Sequence, residues 1–379
     1  MFTDSYLPRV SGVVHSLEAL VRALRHGGHD VLVVAPAYPG YQDSDRYVLR
    51  FPSFRPLRAE NFPLAMPVSR AVTRRLDEFP LDVIHTHTPF LLGSAAGTQA
   101  RRRGVPLAFT HHTFYEEYVH YATWVPPGLS RAMVRTYVTW YANHAACTIA
   151  PSRAAAAYLR VRGVTSRLEV IPTGTIETAQ FAELTPAWVR PAFGLQHDQP
   201  LLVTASRLGK EKSVDLLLAA FARLPERFEA ALLVVGGGPQ LHELQALAAQ
   251  LGVARRAIFA GLLSHRQAVE CMAAADVFLF ASQTETQGLA VIEAMAAGVP
   301  VVAVDAGGVA DAVEDGTTGF LTPPAADALA ARTAVLLEDP RLRRQFGDAG
   351  RAAAEKFSLE HVTAQVVGVY ESLLAVGRH

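Results

Sequence analysis

Short apolar runs alternate with longer amphipathic segments along the chain, and the pattern is clearest between residues 276 and 304. Residues 276–281 and 299–304 are apolar on both faces, as expected of buried parallel strands. The segment between them opens with a polar loop, 282–288, and continues as an apolar helix over residues 289–297. The pattern therefore predicts a strand, a loop, a helix and a second strand within one unit.

The same alternation occurs in both halves of the chain. The first half contains predicted strands at residues 30–35, 82–87, 107–112, 146–150 and 168–172, and a helix with an apolar face at Leu17, Leu20, Val21 and Leu24. The second half starts again, with predicted strands at residues 201–205, 230–235 and 257–260. Because strands and helices alternate, the pattern predicts an α/β fold with two Rossmann-like, doubly wound domains.

Changes in this pattern mark the domain boundaries. Residues 1–175 are predicted to form the first domain, and the polar stretch 176–196 is predicted to link it to a second domain, residues 197–357. The final segment, 358–379, contains a helix long enough to cross back onto the first domain. The chain opens on what reads as a strand end, so either the first strand is very short or the true start lies upstream of Met1.

Composition excludes several classes of protein. Lys and Arg balance Asp and Glu at 35 each, so no overall field attracts nucleic acid or an acidic membrane. Cys147 and Cys271 lie far apart in apolar surroundings, which argues against a disulfide framework. No secretory leader is evident, and no apolar run approaches the ~18 residues that span a bilayer. We therefore expect a cytoplasmic protein, with any membrane contact local and peripheral.

Candidate chemistry concentrates between residues 285 and 293. Glu285 lies at the carboxyl end of a strand and Glu293 about two turns into the helix, at ~3.6 residues per turn, so both carboxylates should face one crevice. Between them Gln287, Gly288 and Leu289 open the helix, whose N–H groups and dipole favour an anion such as a diphosphate. The arrangement suits a sugar nucleotide. It equally suits a loop glutamate near a cap and a solvated helix glutamate.

Two basic residues follow the first strand of the second domain. Arg207 and Lys212 could hold a diphosphate as two fixed cations and stabilise a leaving group as its charge grows. A plain surface loop would have the same sequence. The glycine run 236–238 lacks the dinucleotide spacing and is weak evidence for a nucleotide site, since a strand-to-helix turn also explains it.

Four histidines end two predicted strands of the first domain. They are His85 and His87 on one strand, and His111 and His112 on the next. The carboxyl ends of strands in an open parallel sheet face the ligand crevice. These histidines are therefore less easily explained as core residues than as part of a site.

Two other features remain ambiguous. The sequence from Asp43 to Asp45 matches a metal-binding carboxylate motif. It lies in a loop rich in Pro, Gly and Tyr, however, where a solvated turn is favoured. Residues 55–80 and 120–141 combine basic with apolar or aromatic side chains. Such patterning is typical of surfaces that lie on anionic lipid, and equally of exposed helices with packed stems.

Together these residues resemble the retaining glycosyltransferases of family 4, whose GT-B fold has two Rossmann-like domains facing a central cleft. The resemblance covers nearly the whole chain, and its most specific part is the stretch 282–300. Gly12, His112, and Arg207 with Lys212 also carry it.

The resemblance implies a role for each candidate residue. Arg207 and Lys212 would hold the donor diphosphate, Glu293 the ribose, and Glu285 the hydroxyls of the transferred sugar. The backbone of Gln287, Gly288 and Leu289 would complete the phosphate site. Gly12 would line the phosphates from the other domain, and His112 would contact the donor sugar. The implied catalytic set is His112, Arg207, Lys212 and Glu285, with no metal and no cofactor beyond the nucleotide sugar.

Within the family, residues 112–121 and 285–288 are most similar to bacterial enzymes that glucosylate diacylglycerol from UDP-glucose at the cytoplasmic membrane face. The implied partners are a nucleotide sugar, a lipid hydroxyl and an anionic membrane surface, with no nucleic acid. Two alternatives stay open: transfer from GDP-mannose to a phospholipid or soluble acceptor, and a sugar-nucleotide epimerase.

Overall fold

A computed structural model describes residues 1–9, 11–54, 63–116, 127–174 and 176–376. The chain divides into two units, one formed by Met1–Thr175 with Leu359–His379 and the other by Ile176–Ser358. Each unit is an α/β structure with its own core.

The first unit contains eight short strands and five helices within its described residues up to residue 174. The strands are β1 (Val33–Pro36), β2 (Val48–Phe51), β3 (Ser53–Phe54), β4 (Leu64–Ala65), β5 (Ile84–Thr86), β6 (Leu107–Thr110), β7 (Cys147–Ala150) and β8 (Leu168–Val170). The helices are α1 (Gly12–His26), α2 (Arg70–Glu78), α3 (Leu91–Arg103), α4 (Pro127–His144) and α5 (Arg153–Val161).

A single residue joins the two parts of this sheet. β1 pairs with β2, β5 to β8 pair in sequence order, and all of these pairs are parallel. Phe2 forms parallel bridges to both Val34 of β1 and Thr86 of β5. The first strand is therefore reduced to one bridging residue, which the polar residues Thr3, Asp4 and Ser5 follow.

Helices cover both faces of the first sheet because strand residues alternate between them. Val33 and Ala35 face a core layer that includes residues of α1, whereas Val34 faces a layer that includes Leu92 of α3. Serine side chains accept hydrogen bonds from the first turns of α1, α2 and α5, so the sequence itself sets where these helices begin.

The second unit has six strands in one parallel sheet, in the order β11, β10, β9, β12, β13, β14. They are β9 (Leu201–Ala205), β10 (Ala231–Val235), β11 (Ala257–Gly261), β12 (Val277–Phe280), β13 (Val301–Val304) and β14 (Gly319–Thr322). The helices are α6 (Thr178–Ala182), α7 (Val189–Ala192), α8 (Val214–Phe221), α9 (Leu241–Gln250), α10 (His265–Ala273), α11 (Leu289–Ala296), α12 (Val309–Ala312), α13 (Ala326–Glu338) and α14 (Pro340–Ala354).

The segment predicted as an interdomain linker, 176–196, is instead part of the second unit. It contains α6, a 3₁₀ turn at Pro186–Trp188, and α7. Val189 is fully buried in the core, and the Trp188 indole Nε1 donates to Glu270 Oε2 at 2.6 Å. The polar composition of the stretch concealed these anchoring side chains, which tie it to α10.

The last helix, α15 (Leu359–Val376), belongs to the first unit and packs against α1. Val362, Val366, Val369 and Leu373 form its buried face. Their spacing of three to four residues places them on one side of the helix. The structure thus groups the terminal helix with the first unit.

The two segments with basic patterning are only partly described. Residues 63–80 include α2, and residues 127–141 lie in α4. The remainder, 55–62 and 120–126, lies outside the described residues. No helix in the described part of the chain is long and apolar enough to cross a membrane.

Candidate functional site

Two loops of the second unit meet at the carboxyl edge of its sheet. β9 and β12 are parallel neighbours, with Phe278 opposite Val203, so the segments that follow them emerge side by side. The Ser282 hydroxyl donates to the carbonyl oxygen of Glu211 at 3.1 Å. This edge is where open parallel sheets bind their ligands.

An ion pair joins these loops. The Lys212 Nζ donates to Glu285 Oε1, although the two residues are 73 positions apart in sequence. Each side chain is only 18% exposed, so water screens their charges incompletely. The structure therefore brings together a cation and an acceptor that the sequence analysis assigned to one ligand.

Arg207 lies in the same loop but nearer the solvent. Its side chain is half exposed, and Nη1 lies 3.2 Å from Glu211 Oε1. Glu211 itself is largely buried, so it can hold the guanidinium group near the edge of the sheet. Arg207 and Lys212 thus form two cationic positions in the loop after β9.

The glycine run 236–238 supports the Arg207 loop. Gly236 has φ +129°, and a Cβ there would lie 1.9 Å from the Ser206 carbonyl oxygen. Leu208 N donates to Gly237 O at 2.9 Å, and Gln240 N donates to Leu208 O at 3.1 Å. The run is the turn between β10 and α9, and it lets the two backbones approach closely.

The beginning of α11 has the geometry of an anion site. Gly288, the residue before the helix, adopts φ +82°, which side chains rarely tolerate, and a Cβ would lie 2.9 Å from Val309 Cγ2. Leu289 begins the helix, and Gln287 is buried against it. The first N–H groups and the positive end of the helix dipole favour negative charge here.

Gly307 and Gly308 pack closely against the backbone of this loop. Gly308 N donates to Glu285 O at 2.9 Å. A Cβ on Gly307 would lie 2.4 Å from Glu285 O, and one on Gly308 would lie 2.2 Å from Thr286 O. Glycine is therefore required for the loop 285–287 to take this position.

Glu293 is not the solvated helix residue that the plain interpretation expected. It is only 8% exposed, and its Oε1 lies 2.9 Å from Nε2 of His265. The hydrogen bond to Glu293 raises the pKa of His265 above its usual 6.5, burial opposes this, and the charges of Glu293 and Glu177 add to it. Sequence reasoning missed His265, because nothing in the local pattern connects it to a residue 28 positions later.

The raised pKa of His265 gives a pH-dependent contribution to stability. A group whose pKa is higher in the folded state stabilises that state fully below its unfolded pKa, here 6.5, and loses this contribution as pH rises through the folded pKa. We expect His265→Gln to be destabilised relative to wild type most at low pH. Urea unfolding between about pH 5 and 8 should show the difference shrinking as pH rises.

The matched control for this prediction is His242→Gln, which changes an exposed histidine on α9 of the same unit. Its unfolding free energy should follow that of the wild type across the series. A His265→Gln difference that stays constant or grows with pH would contradict the assigned ion pair.

The first unit contains the other two predicted site residues. Gly12 opens α1 after the Ser11 cap. His112 follows β6 and is partly exposed, and its Nε2 lies 2.9 Å from Nδ1 of His87. Burial lowers the pKa of His112 to about 4, so the ring is neutral at physiological pH. His112 lies in a histidine cluster that includes His85 and His87.

Asp43 and Asp45 each pair with an arginine, and only Asp43 is largely removed from solvent. Arg50 binds Asp43 through both carboxylate oxygens, at 2.6 and 2.8 Å. Arg25 lies 2.6 Å from Asp45 Oδ2. Within the described ranges, no group of three His, Cys, Asp or Glu side chains could hold a metal ion.

Comparison with known proteins gives matches in both halves of the chain. Residues 10–177 match the family described as Glycosyltransferase Family 4, and residues 189–353 match Glycosyl transferases group 1. An alpha-monoglucosyldiacylglycerol synthase of Streptococcus pneumoniae is 33% identical over 319 residues, which cover 80% of this chain and 70% of the relative.

Two further similarities extend over nearly the whole chain. A GDP-mannose-dependent alpha-mannosyltransferase of Mycolicibacterium smegmatis is 31% identical over 384 residues, covering 98% of this chain and 96% of the relative. The crystal structure of Anabaena Alr3699/HepE in complex with UDP-glucose superimposes with a TM-score of 0.75 at 24% identity, covering 98% of each chain.

Proposed function

This chain belongs to glycosyltransferase family 4 and has the GT-B fold that its sequence predicted, and we propose that it transfers glucose from UDP-glucose to a lipid hydroxyl such as that of diacylglycerol. The reaction would retain the anomeric configuration and need no metal. The observation that carries the proposal is the Lys212–Glu285 pair beside the beginning of α11.

That pair can divide between the two parts of a nucleotide sugar. A diphosphate at the beginning of α11 would attract Lys212, while Glu285 would accept hydrogen bonds from sugar hydroxyls. Glu293, oriented by His265, would hold the ribose diol. The ion pair thus keeps both side chains at the edge of the sheet until the donor replaces their mutual contact with its own.

In the proposed reaction, the protein accelerates transfer mainly by stabilising the leaving diphosphate. The bond between the anomeric carbon and the diphosphate oxygen breaks as the acceptor oxygen bonds to the same face of that carbon. The departing phosphate oxygen takes the acceptor proton, so no protein nucleophile or general base is required. Arg207, Lys212 and the N–H groups at the start of α11 would stabilise the growing negative charge.

Two observations support a lipid acceptor. The relative from Streptococcus pneumoniae is named for glucosylation of diacylglycerol. In addition, α4 exposes Leu129, Met133 and Trp140, by 57%, 59% and 48%, at spacings that place them on one side of the helix. An exposed apolar stripe of this kind suits a surface that rests on lipid.

We expect the triple variant Leu129→Ser, Met133→Ser, Trp140→Ser to bind phosphatidylserine vesicles at least about tenfold more weakly than wild type, since each side chain loses apolar burial in the bilayer. Vesicle sedimentation measures the bound fraction. The control is Val161→Ser with Val170→Ser, which removes exposed apolar side chains outside α4. Equal binding by all three proteins would exclude this surface as the membrane contact.

GDP-mannose is the second candidate donor, because a relative that matches nearly the full chain is named for its use. Transfer from UDP-glucose, UDP-galactose and GDP-mannose, each with and without diacylglycerol vesicles, distinguishes the possibilities. The proposal expects a glycolipid from UDP-glucose. A sugar-nucleotide epimerase would instead release an altered sugar nucleotide without any acceptor.

A further inference from the structure

The histidine cluster of the first unit contains a hydrogen-bonded chain that links Met1, His87 and His112. His87 is buried, with only 2% of its surface exposed. Its Nδ1 lies 2.9 Å from Nε2 of His112, and its Nε2 lies 3.1 Å from Sδ of Met1. The planes of the His87 and His112 rings are nearly parallel, at 21° to each other, with ring centroids 5.2 Å apart.

The neighbouring histidine does not compete for these contacts. Both ring nitrogens of His85 have hydroxyl partners, Tyr370 at 2.6 Å from Nδ1 and Thr110 at 2.7 Å from Nε2. His85 therefore packs against the His87 ring, at 4.3 Å between centroids, with its own hydrogen bonds directed elsewhere.

The chemistry of the three groups determines where the protons lie. A thioether sulfur can only accept a hydrogen bond, so the Nε2 of His87 must be the protonated nitrogen in the contact with Met1. A neutral imidazole has one N–H, which leaves Nδ1 of His87 as an acceptor. The contact with His112 then requires the proton on Nε2 of His112.

Both rings are neutral, as this argument requires. Burial lowers the pKa of His87 well below 6.5, and the charges of His85 and His112 lower it further. Burial lowers the pKa of His112 to about 4. Near neutral pH neither ring carries a second proton that would make both of its nitrogens donors.

We propose that His87 is a positioning residue that holds His112 in the tautomer with the proton on Nε2, so that Nδ1 of His112 can act only as a hydrogen-bond acceptor. The inference rests on the proposed function, with His112 in the role that the family resemblance implies for it, contact with the donor sugar. A sugar hydroxyl that reaches Nδ1 would then donate to it. His112 is the partly exposed member of the pair. His87 is buried, and its contact with Met1 determines which nitrogen of His112 carries the proton.

The first test reads the tautomer directly and does not depend on activity. In protein labelled with ¹⁵N-histidine at pH 7.5, the ring nitrogen shifts and their couplings to carbon-bound protons show which nitrogen carries the proton. His112→Gln and His87→Asn assign the signals by their loss. We expect Nε2–H for both His87 and His112. Protonated Nδ1 at His112, or signals averaged between tautomers, would overturn the proposal.

The second test is kinetic and uses two variants. His87→Leu removes the acceptor, and we expect kcat/KM for the donor to fall about 10–100-fold as His112 loses its fixed orientation. His87→Asn retains a carbonyl oxygen that can accept from Nε2 of His112, and it should recover most of the activity. Near-wild-type kinetics in His87→Leu would overturn the positioning role.

The two tests also separate this inference from the proposed function. A chain that transfers no sugar from any of the three donors would refute the glycosyltransferase proposal, while the ¹⁵N spectra would still decide the tautomer. If His87→Leu does not fold, the wild-type spectrum still decides the tautomer.

Discussion

The variant Lys212→Met is expected to lower kcat for glycosyl transfer by about 10²–10³-fold, the usual loss when one stabilising group for a developing negative charge is removed. Lys212 lies at the carboxyl edge of the second sheet and is paired with Glu285. Methionine keeps a similar length and apolar stem but has no charge. The loss would therefore report the ammonium group itself.

The same substitution should change stability far less than activity. The pair is partly exposed, and the positive end of the α11 dipole still lies near Glu285 after Lys212 is removed. We expect the free energy of unfolding to fall by on the order of 1 kcal/mol, as for other pairs near a surface. Urea unfolding of the apo protein measures this change independently of turnover.

Lys210→Met is the matched control for Lys212→Met. Lys210 lies in the same short 3₁₀ helix, Lys210–Lys212, but its side chain is exposed. The Lys210→Met variant loses the same charge two residues away from Lys212, and it should retain near-wild-type kcat and donor KM. Equal losses in the two variants would indicate a general electrostatic effect, and an unaffected Lys212→Met would remove Lys212 from the proposed chemistry.

Gly308→Ala is expected to reduce kcat/KM by about 10²-fold, because a displacement of about 1 Å in a site can cost that much. Gly308 has φ −73°, which alanine adopts readily, so backbone strain is not the cause. The added methyl group would lie 2.2 Å from Thr286 O and 2.5 Å from Gln287 Cα. The loop that presents Glu285 and Gln287 must therefore move.

Gly368→Ala in α15 provides the contrast. A Cβ at Gly368 meets no atom within 4 Å, so the substitution should be neutral or should stabilise the helix by roughly 0.5–1 kcal/mol. Gly308→Ala should cost about 1–3 kcal/mol through overpacking. Thermal unfolding and donor kinetics on both variants test this, and a fully active Gly308→Ala would show that the loop position is not critical.

The sequence was most informative where local chemistry and periodicity agreed. β12, the loop with Glu285, and α11 with Glu293 follow directly from an apolar run, a polar loop with glycine, and an apolar helix. The predicted strand at 299–304 begins only at Val301 in the structure, because Pro300 has no N–H to pair. Such shifts move boundaries without moving the site.

Local sequence patterns did not predict the contacts between distant segments. The pairing of His265 with Glu293 depends on the positions of α10 and α11 in the folded unit. The glycines at 307–308 have the sequence of an ordinary turn, and only the approach of the 285–287 backbone shows why side chains are excluded there. Periodicity describes one element at a time, whereas these constraints arise between elements.

Segment 176–196 shows the opposite error, in which composition suggested too little structure. Its prolines and polar residues favoured a connection, yet Trp188 and Val189 anchor it to the second unit. Ile176 and Leu195 are buried in the same core, and Phe181 and Phe193 pack against it. An average over its residues conceals them.

The decisive experiment is transfer of radiolabelled glucose from UDP-glucose to diacylglycerol in anionic vesicles, with the anomeric configuration of the product read by NMR. We expect an α-glucosyl lipid with the wild-type protein, and at least about 10²-fold less of it with Lys212→Met. Lipid-linked sugar formed equally well by both proteins, or a β-linked product, would contradict the proposed mechanism.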